Sequence, residues 1–264
     1  MLTIGNIRAG LAWKSPNDRG MNMNGVLVRV AIDQSFKGGM WNGPINPKTS
    51  EFIYVPIPDK EDKRYRSGLQ RSFKEVLPTL DEFVVKHKIS DLGFPGSLLN
   101  RSMHLDPDFE HLTYGDNGKK QGRALKGLTK GDFVVFFSSL TSTANNELVY
   151  ALIGFYEIQE NIAASNVKAE RYHENAHTRW QPIRETDIII RANPNTSGRL
   201  KKCIPIGEYR DRAYRVTKKL EKAWGGLQVR NGFLQRRVTP RFTNPKAFRK
   251  WFDSQNVTLV HSNN

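Results

Sequence analysis

The segment His104-Leu-Asp106-Pro-Asp108-Phe-Glu110-His111 places two imidazoles and three carboxylates within eight residues. Such side chains bind divalent cations, and paired as acid and base they move protons in hydrolysis. The spacing fits no strong metal motif, and Pro107 breaks any regular face. The cofactor is therefore open, with a divalent metal admitted rather than required. A plainer reading has Asp106 capping a helical turn and Pro107 in its first position. Asp33 is a further candidate, because it ends an apolar run beside a Gly38-Gly39 loop, where polar groups gather into sites; as a simple turn residue it would do none of this. The expected catalytic set is Asp33, His104, Asp106 and Asp108, with one carboxylate as base or charge stabiliser and His104 as acid. His173 and His177 lie four apart but lack the His-Glu-x-x-His arrangement of a metalloprotease, and read as a surface pair.

Charge points to the partner. The net charge is +15, and residues 168–250 carry 21 Lys/Arg against 7 Asp/Glu. A concentrated basic region attracts polyanions by releasing their counterions, so DNA is the expected partner and RNA its rival; a merely solvated surface is the bland alternative. A flexible turn over 193–199, ending in Arg199, runs into Lys201 and Lys202 but lacks the Gly-Lys-Ser/Thr of a Walker loop. Arg230, Gln235, Arg236, Arg237 and Arg241 surround Asn231-Gly232, where Arg and Gln side chains suit base edges or backbone phosphates and Phe233 or Phe242 a stacked base. The single cysteine, Cys203, excludes an intramolecular disulfide and a cysteine-based zinc site. No apolar run approaches the roughly 20 residues that span a bilayer. With no secretory pattern at the N-terminus, cytoplasm is the expected compartment and a membrane is not a partner.

The elements that must position these groups are mostly strands. Residues 128–158 hold two apolar runs rich in β-branched and aromatic residues, 133–137 and 148–158, on either side of a polar connector at 138–146. They predict a hairpin launched by Lys130-Gly131-Asp132, with a bulge or bend at Gly154. Further strands are predicted over 25–33, 51–57 and 187–191. Apolar spacings of three and four predict helices over 72–87, split at Pro78 with Thr79 as a cap, over 209–224, and over 244–252. Asn231-Gly232 predicts another hairpin turn. Residues 1–24 read as an extension, 25–255 as one domain and 256–264 as a tail. The fold class is α+β, a mixed or barrel-like sheet with peripheral helices.

Several motifs occur in a particular order. They are Arg29-Val-Ala-Ile-Asp33, Asn42-Gly43-Pro44, Phe52-Ile-Tyr-Val-Pro-Ile-Pro58, His104-x-Asp106-Pro-Asp108-Phe-Glu110, Tyr114-Gly115-Asp116, Gly131-Asp132 and Ile153-Gly-Phe-Tyr156. In this the chain resembles the third family of nucleotide-modification-associated domains, linked to systems that make, read or attack modified bases in DNA. The resemblance implies action on DNA with modified bases, by an enzyme that processes, excises or cleaves at a modified nucleotide, with a non-catalytic reader or an RNA-binding accessory protein as alternatives. It also implies site roles for Arg29, Asp33, His104, Asp106, Asp108, Tyr114 and Gln121, with Arg29, Asn42, Tyr114 and Gln121 forming a base or nucleotide pocket. A looser, fold-level likeness joins the 128–158 hairpin to the PUA and EVE barrels that hold flipped or modified bases.

Overall fold

The two apolar runs lie in two long strands, Phe133–Ser142 and Leu148–Ala163, paired antiparallel. They belong to a computed structural model that describes residues 23–34, 41–60, 64–119, 122–236 and 238–264. Gln121, Arg237, the Gly38-Gly39 loop and residues 1–22 lie outside the described residues. Continuous hydrophobicity over 133–137 reflects burial on both faces. Val134 and Phe136 enter one core, while Phe133, Val135 and Phe137 enter the other. The register shifts between Phe136 and Phe137, opposite Gly154, where the sequence predicts a bulge. The polar connector is shorter than expected, because the first strand runs on to Ser142. Its polar side chains are accommodated there: the Asn42 amide donates to the Ser139 carbonyl at 2.8 Å and to its hydroxyl at 2.9 Å.

Among the described residues eight strands make one mixed sheet. Gly25–Arg29 lies parallel to Phe133–Ser142, followed in space by Leu148–Ala163, Asp187–Ala192 and Thr113–Asn117. Gly198–Pro205 pairs with another stretch of Leu148–Ala163 and carries Leu259–Val260 on its outer edge, and Pro44–Ile45 runs parallel to the end of Phe133–Ser142. The architecture is α+β, as expected. The strand path ends at Thr113–Asn117 without returning to Gly25–Arg29, so among the described residues no barrel closes and the PUA/EVE likeness does not extend to the sheet.

Other departures have local causes. Residues 209–224 are not one helix: Gly207–Arg210 and Ala213–Val216 form a hairpin, and only Lys218–Ala223 is helical. The apolar positions imitate a helical stripe, but Asp211 and Arg212 both take positive φ, 51° and 61°, as a tight two-residue hairpin turn requires. Asn231-Gly232 lies instead in a 3-10 turn, Arg230–Gly232. Residues 51–57 are extended, with ladder pairing confined to Ile57–Pro58 against Met103–His104 and a single bridge at Phe52. Pro78 opens the helix Leu77–His87 rather than splitting it, and Ser72, not Thr79, caps the preceding 3-10 turn Phe73–Val76 in a reciprocal box with Glu75. The last helix, Pro245–Ser254, is capped by Asn244 and buries Phe248 and Phe252 against the sheet.

Candidate active site

One corner of the fold gathers imidazoles and carboxylates from five separate stretches of chain. The short strand Met103–His104 delivers His104, and its pairing with Ile57–Pro58 sets Asp59 beside it. Two residues on, Asp106 sits on a cis peptide bond to Pro107, not at a helix start as its sequence suggests. Its Oδ1 accepts from the Gly115 amide at 2.7 Å and the Asn175 side chain at 3.1 Å, so Oδ2 faces the histidines. The following turn is fastened to the core: the Tyr54 hydroxyl donates to the Pro107 carbonyl and the Tyr156 hydroxyl to the Asp108 carbonyl, each at 2.9 Å.

The second histidine is His177, on the short helix Ala176–Arg179. It is no surface group; it is buried, 7% exposed, and belongs to this centre. Asn175 caps its helix by accepting the His177 N–H at 2.9 Å, and the same amide reaches Asp106. One polar side chain thus holds both halves of the site. Gly115 leaves the necessary room, since a Cβ there would lie 2.7 Å from the His177 ring.

The geometry is converging. His177 Nδ1 is 2.6 Å from Asp187 Oδ2, leaving Nε2 at 3.5 Å from Asp106 Oδ2. His104 Nε2 lies 3.9 Å from that same oxygen. On its other side His104 Nδ1 is 2.9 Å from Asp59 Oδ1, off the line of a good hydrogen bond. The Tyr65 hydroxyl donates to Asp59 Oδ2 at 2.5 Å. Trp180 stacks on the His104 ring at 5.3 Å between centroids and meets His177 edge-on at 5.2 Å.

Burial works against a charged imidazole at His177, but hydrogen bonds and charges from Asp106 and Asp187 outweigh it and lift the ring to about 10. Asp116, two residues beyond Gly115 on the strand Thr113–Asn117, is pushed up to about 6 by burial, partly opposed by the Asn117 amide and the nearby imidazoles. A carboxyl so placed exchanges its proton near neutral pH.

Asp59 and Tyr65 also line a cavity of about 430 Å³, with Lys60, Arg66, Gln70 and Arg101 among its other walls. That volume suits a small-molecule or nucleotide-sized group. The Arg101 guanidinium is fixed by donating to the Asp59 carbonyl at 2.8 Å, and that of Arg66 by donating to the Thr178 carbonyl at 3.1 Å while lying 3.9 Å over the Tyr172 ring. Arg66 also borders a second hollow of about 560 Å³, with Arg64, Tyr172 and Gln181.

Among the described residues two donor groups could hold a metal: His104 with Asp106 and His177, and Asp108 with Glu110 and His111. The second is already committed to structure. Asp108 is fully buried, pairs with Arg179, accepts from Asn263 at 3.2 Å and meets His111 Nδ1 at 3.1 Å.

The sequence-predicted residues thus divide. His104 and Asp106 meet in the centre, with Asp108 anchoring the turn behind them. The Tyr114 hydroxyl donates to Asp116 at 3.4 Å. Asp33 lies in another network, 3.0 Å from Arg29 and 2.5 Å from Arg236, and Arg29 also donates to the Tyr150 hydroxyl at 3.2 Å. Asn42 holds the 133–142 strand. Arg199 is buried, donating to the Ser262 carbonyl at 3.0 Å, and Arg241 donates to the Ala124 carbonyl at 2.8 Å. Lys201, Lys202 and Arg230 are exposed, and Gln235 is half-buried. Sequence reasoning missed Asp59, Tyr65, Asp116, Asn175, His177, Trp180 and Asp187 as members. His177 left one signal, its four-residue spacing from His173, and Asp116 another, its place in the Tyr114-Gly115-Asp116 motif; the others left none.

A family model, nucleotide modification associated domain 3, matches residues 24–261. The chain belongs to that family. No curated protein and no solved structure matches it. The family match covers every member of the His104–Asp106–His177 centre and the adjoining cavity, so the centre is part of the domain itself. Among the described residues no helix is long and apolar enough to cross a membrane.

Proposed function

We propose that the protein is an enzyme acting at a modified nucleotide in DNA, with its reaction centre at His104, Asp106 and His177. The observation that carries this is the meeting of two carboxylate-backed imidazoles on one carboxylate oxygen, beside a cavity of nucleotide size. The family association with nucleotide modification supports a nucleotide as the substrate. In this reading a nucleotide leaves the base stack and enters the cavity, where Lys60, Arg66 and Arg101 face its phosphate and Tyr65 its polar edge. Asp59 bridges binding and chemistry, because one oxygen meets Tyr65 on the cavity wall and the other meets His104. At this centre Asp116 then exchanges a proton with a reacting water or with the departing group. Excision of the base, cleavage at the phosphodiester and alteration of the base all use such groups.

The test incubates the protein with unmodified DNA and with DNA carrying hydroxymethylated or glucosylated bases, with and without divalent metal. Products are read on gels and by nucleoside mass spectrometry. Strand breaks, abasic sites or new base masses confined to modified DNA, and lost in His104→Ala, are expected. Modified DNA that is bound in preference yet stays intact would overturn the enzyme and leave a reader of modified bases. Indifference to modification would overturn both.

A further inference from the structure

The three inward-facing atoms of the centre, His104 Nε2, His177 Nε2 and Asp106 Oδ2, have a common arrangement behind them. Each belongs to a side chain whose opposite end is occupied by another protein group. His177 Nδ1 is engaged by Asp187, His104 Nδ1 faces Asp59, and Asp106 Oδ1 accepts from Gly115 and Asn175. Carboxylates behind imidazoles fix ring orientation and raise ligand basicity at metal sites. The inward atoms are correctly spaced for that use. Donors bound to one transition ion at about 2.1 Å stand roughly 3.0–3.4 Å apart at tetrahedral or octahedral angles. Here the two imidazole nitrogens lie 3.5 and 3.9 Å from the Asp106 oxygen, and the donor atoms of the three residues all fall within 4.8 Å of one another. Closing those gaps needs only small side-chain rotations.

We propose that His104, Asp106 and His177 are the protein ligands of a divalent first-row transition-metal ion whose remaining coordination positions are open to water or substrate. Two imidazoles and one carboxylate match the preferences of iron(II) and zinc(II), whereas magnesium and calcium seek oxygen donors. Three protein ligands, rather than four, mark a reactive ion rather than a structural one. Slight exposure agrees: the side chains of His104, His177 and Asp106 keep 12%, 9% and 5% of their surface, enough for a water to reach the ion. Trp180 walls off another side, stacked on His104 and edge-on to His177. The assignment deepens the proposed function and rests on it only for the view that this centre performs a reaction.

Full-length protein stripped with chelator is titrated with Co²⁺, followed by visible absorption, and then with Zn²⁺ in competition; metal content after expression is measured separately. One ion per chain is expected, with Zn²⁺ displacing Co²⁺ and X-ray absorption showing two imidazoles on the ion. His104→Ala and His177→Ala are expected to weaken Co²⁺ binding at least 100-fold, and Asp187→Asn, behind His177, by roughly 10–100-fold. Glu110→Gln, at the other donor group, should leave binding unchanged. Iron or zinc copurifying in stoichiometric amount would support the site and name its ion. Absence of stoichiometric Co²⁺ and Zn²⁺ binding by the folded wild-type protein would overturn it, as would an ion with fewer than two imidazole neighbours. Because the readout is the ion, the site survives if modified DNA proves inert, and it falls if metal-free protein in chelator processes that DNA undiminished.

Discussion

At the scale of single residues, the centre depends on what is missing as much as on what is present. Gly115 is the clearest case. Its φ is unremarkable, but a methyl there would stand 2.7 Å from the His177 ring and 2.8 Å from the Asn175 carboxamide oxygen. Real Cβ atoms do not approach so closely, and both neighbours are buried and hydrogen-bonded, so they cannot simply swing away. Gly115→Ala is expected to cost about 1–3 kcal/mol of stability through overpacking, measured by urea unfolding. The more telling effect is on chemistry. At temperatures where the variant remains folded by circular dichroism, its activity on modified DNA should fall at least tenfold, because His177 is displaced from Asp106. Unaltered turnover would show that His177 need not hold its place. Sequence alone reveals Gly115 only as part of a Tyr-Gly-Asp turn. Its importance comes from an element some 60 residues away in the chain, and no local pattern encodes that distance.

At the scale of elements, the turn over 105–112 is the piece that converts a stable sheet into a positioned carboxylate. Tyr54 and Tyr156, from the core, hold two of its carbonyls, while Asp108 ties it to Arg179 on the helix that also carries His177. Asp108 is therefore a structural hub between the two halves of the centre. Burial would raise its carboxyl, but the His111 hydrogen bond and the Arg179 charge prevail and hold it at about 2. A carboxyl depressed in the folded state stabilises fully above its ordinary value of 3.8, and that contribution is lost as the pH falls through about 2. Asp108→Asn should remove the contribution and leave the Arg179 guanidinium buried without its counter-charge, costing about 3–5 kcal/mol. Unfolding at pH 7 should show the deficit, and the gap between wild type and variant should narrow below pH 4. A gap that does not depend on pH would argue against the ion pair as its source.

The same scale explains what was legible beforehand. The strand cores 133–137 and 148–158 were legible because burial on both faces writes a largely apolar run, and Gly154 marked its own bulge, whereas the continuations to Ser142 and Ala163 are too polar to read as strand. The 207–216 hairpin did not, because its apolar residues fall at helical spacings while a positive-φ turn at Asp211-Arg212 decides the matter. His104 and Asp106 were legible since they are neighbours in the chain. His177, Asp59 and Asp187 were not, since only the pairing of Ile57–Pro58 with Met103–His104 and the cap at Asn175 bring them in.

For the whole molecule, the question is where a charge of +15 acts. The basic region at 168–250 suggests a nucleic-acid wall, yet many of its cations are consumed internally. Arg179 pairs with Asp108, Arg191 with Glu160 and Glu174, Arg236 with Asp33, and Arg249 with Glu157 and Asp253. Four of these cations thus pair with acids of the earlier chain, Asp108, Glu160, Asp33 and Glu157. The cations beside the candidate centre, Lys60, Arg66 and Arg101, come from the nearly neutral first part instead. Each phosphate contact releases counterions and steepens the dependence of affinity on salt, so the two sets can be separated by slope. Replacing Arg66 and Arg101 by alanine should lower the slope of log affinity against log salt by about 1 for each cation lost. It should also weaken preference for modified over plain DNA, since those residues border the cavity beside Asp59. Replacing exposed Lys201 and Lys202 should lower overall affinity without changing that preference. Fluorescence anisotropy over a salt series on both DNAs measures slope and preference together. If instead the Lys201 and Lys202 substitutions abolished the preference and the Arg66 and Arg101 substitutions did not, the modified nucleotide would have to sit against the 198–205 strand, and the cavity beside Asp59 would lose its role.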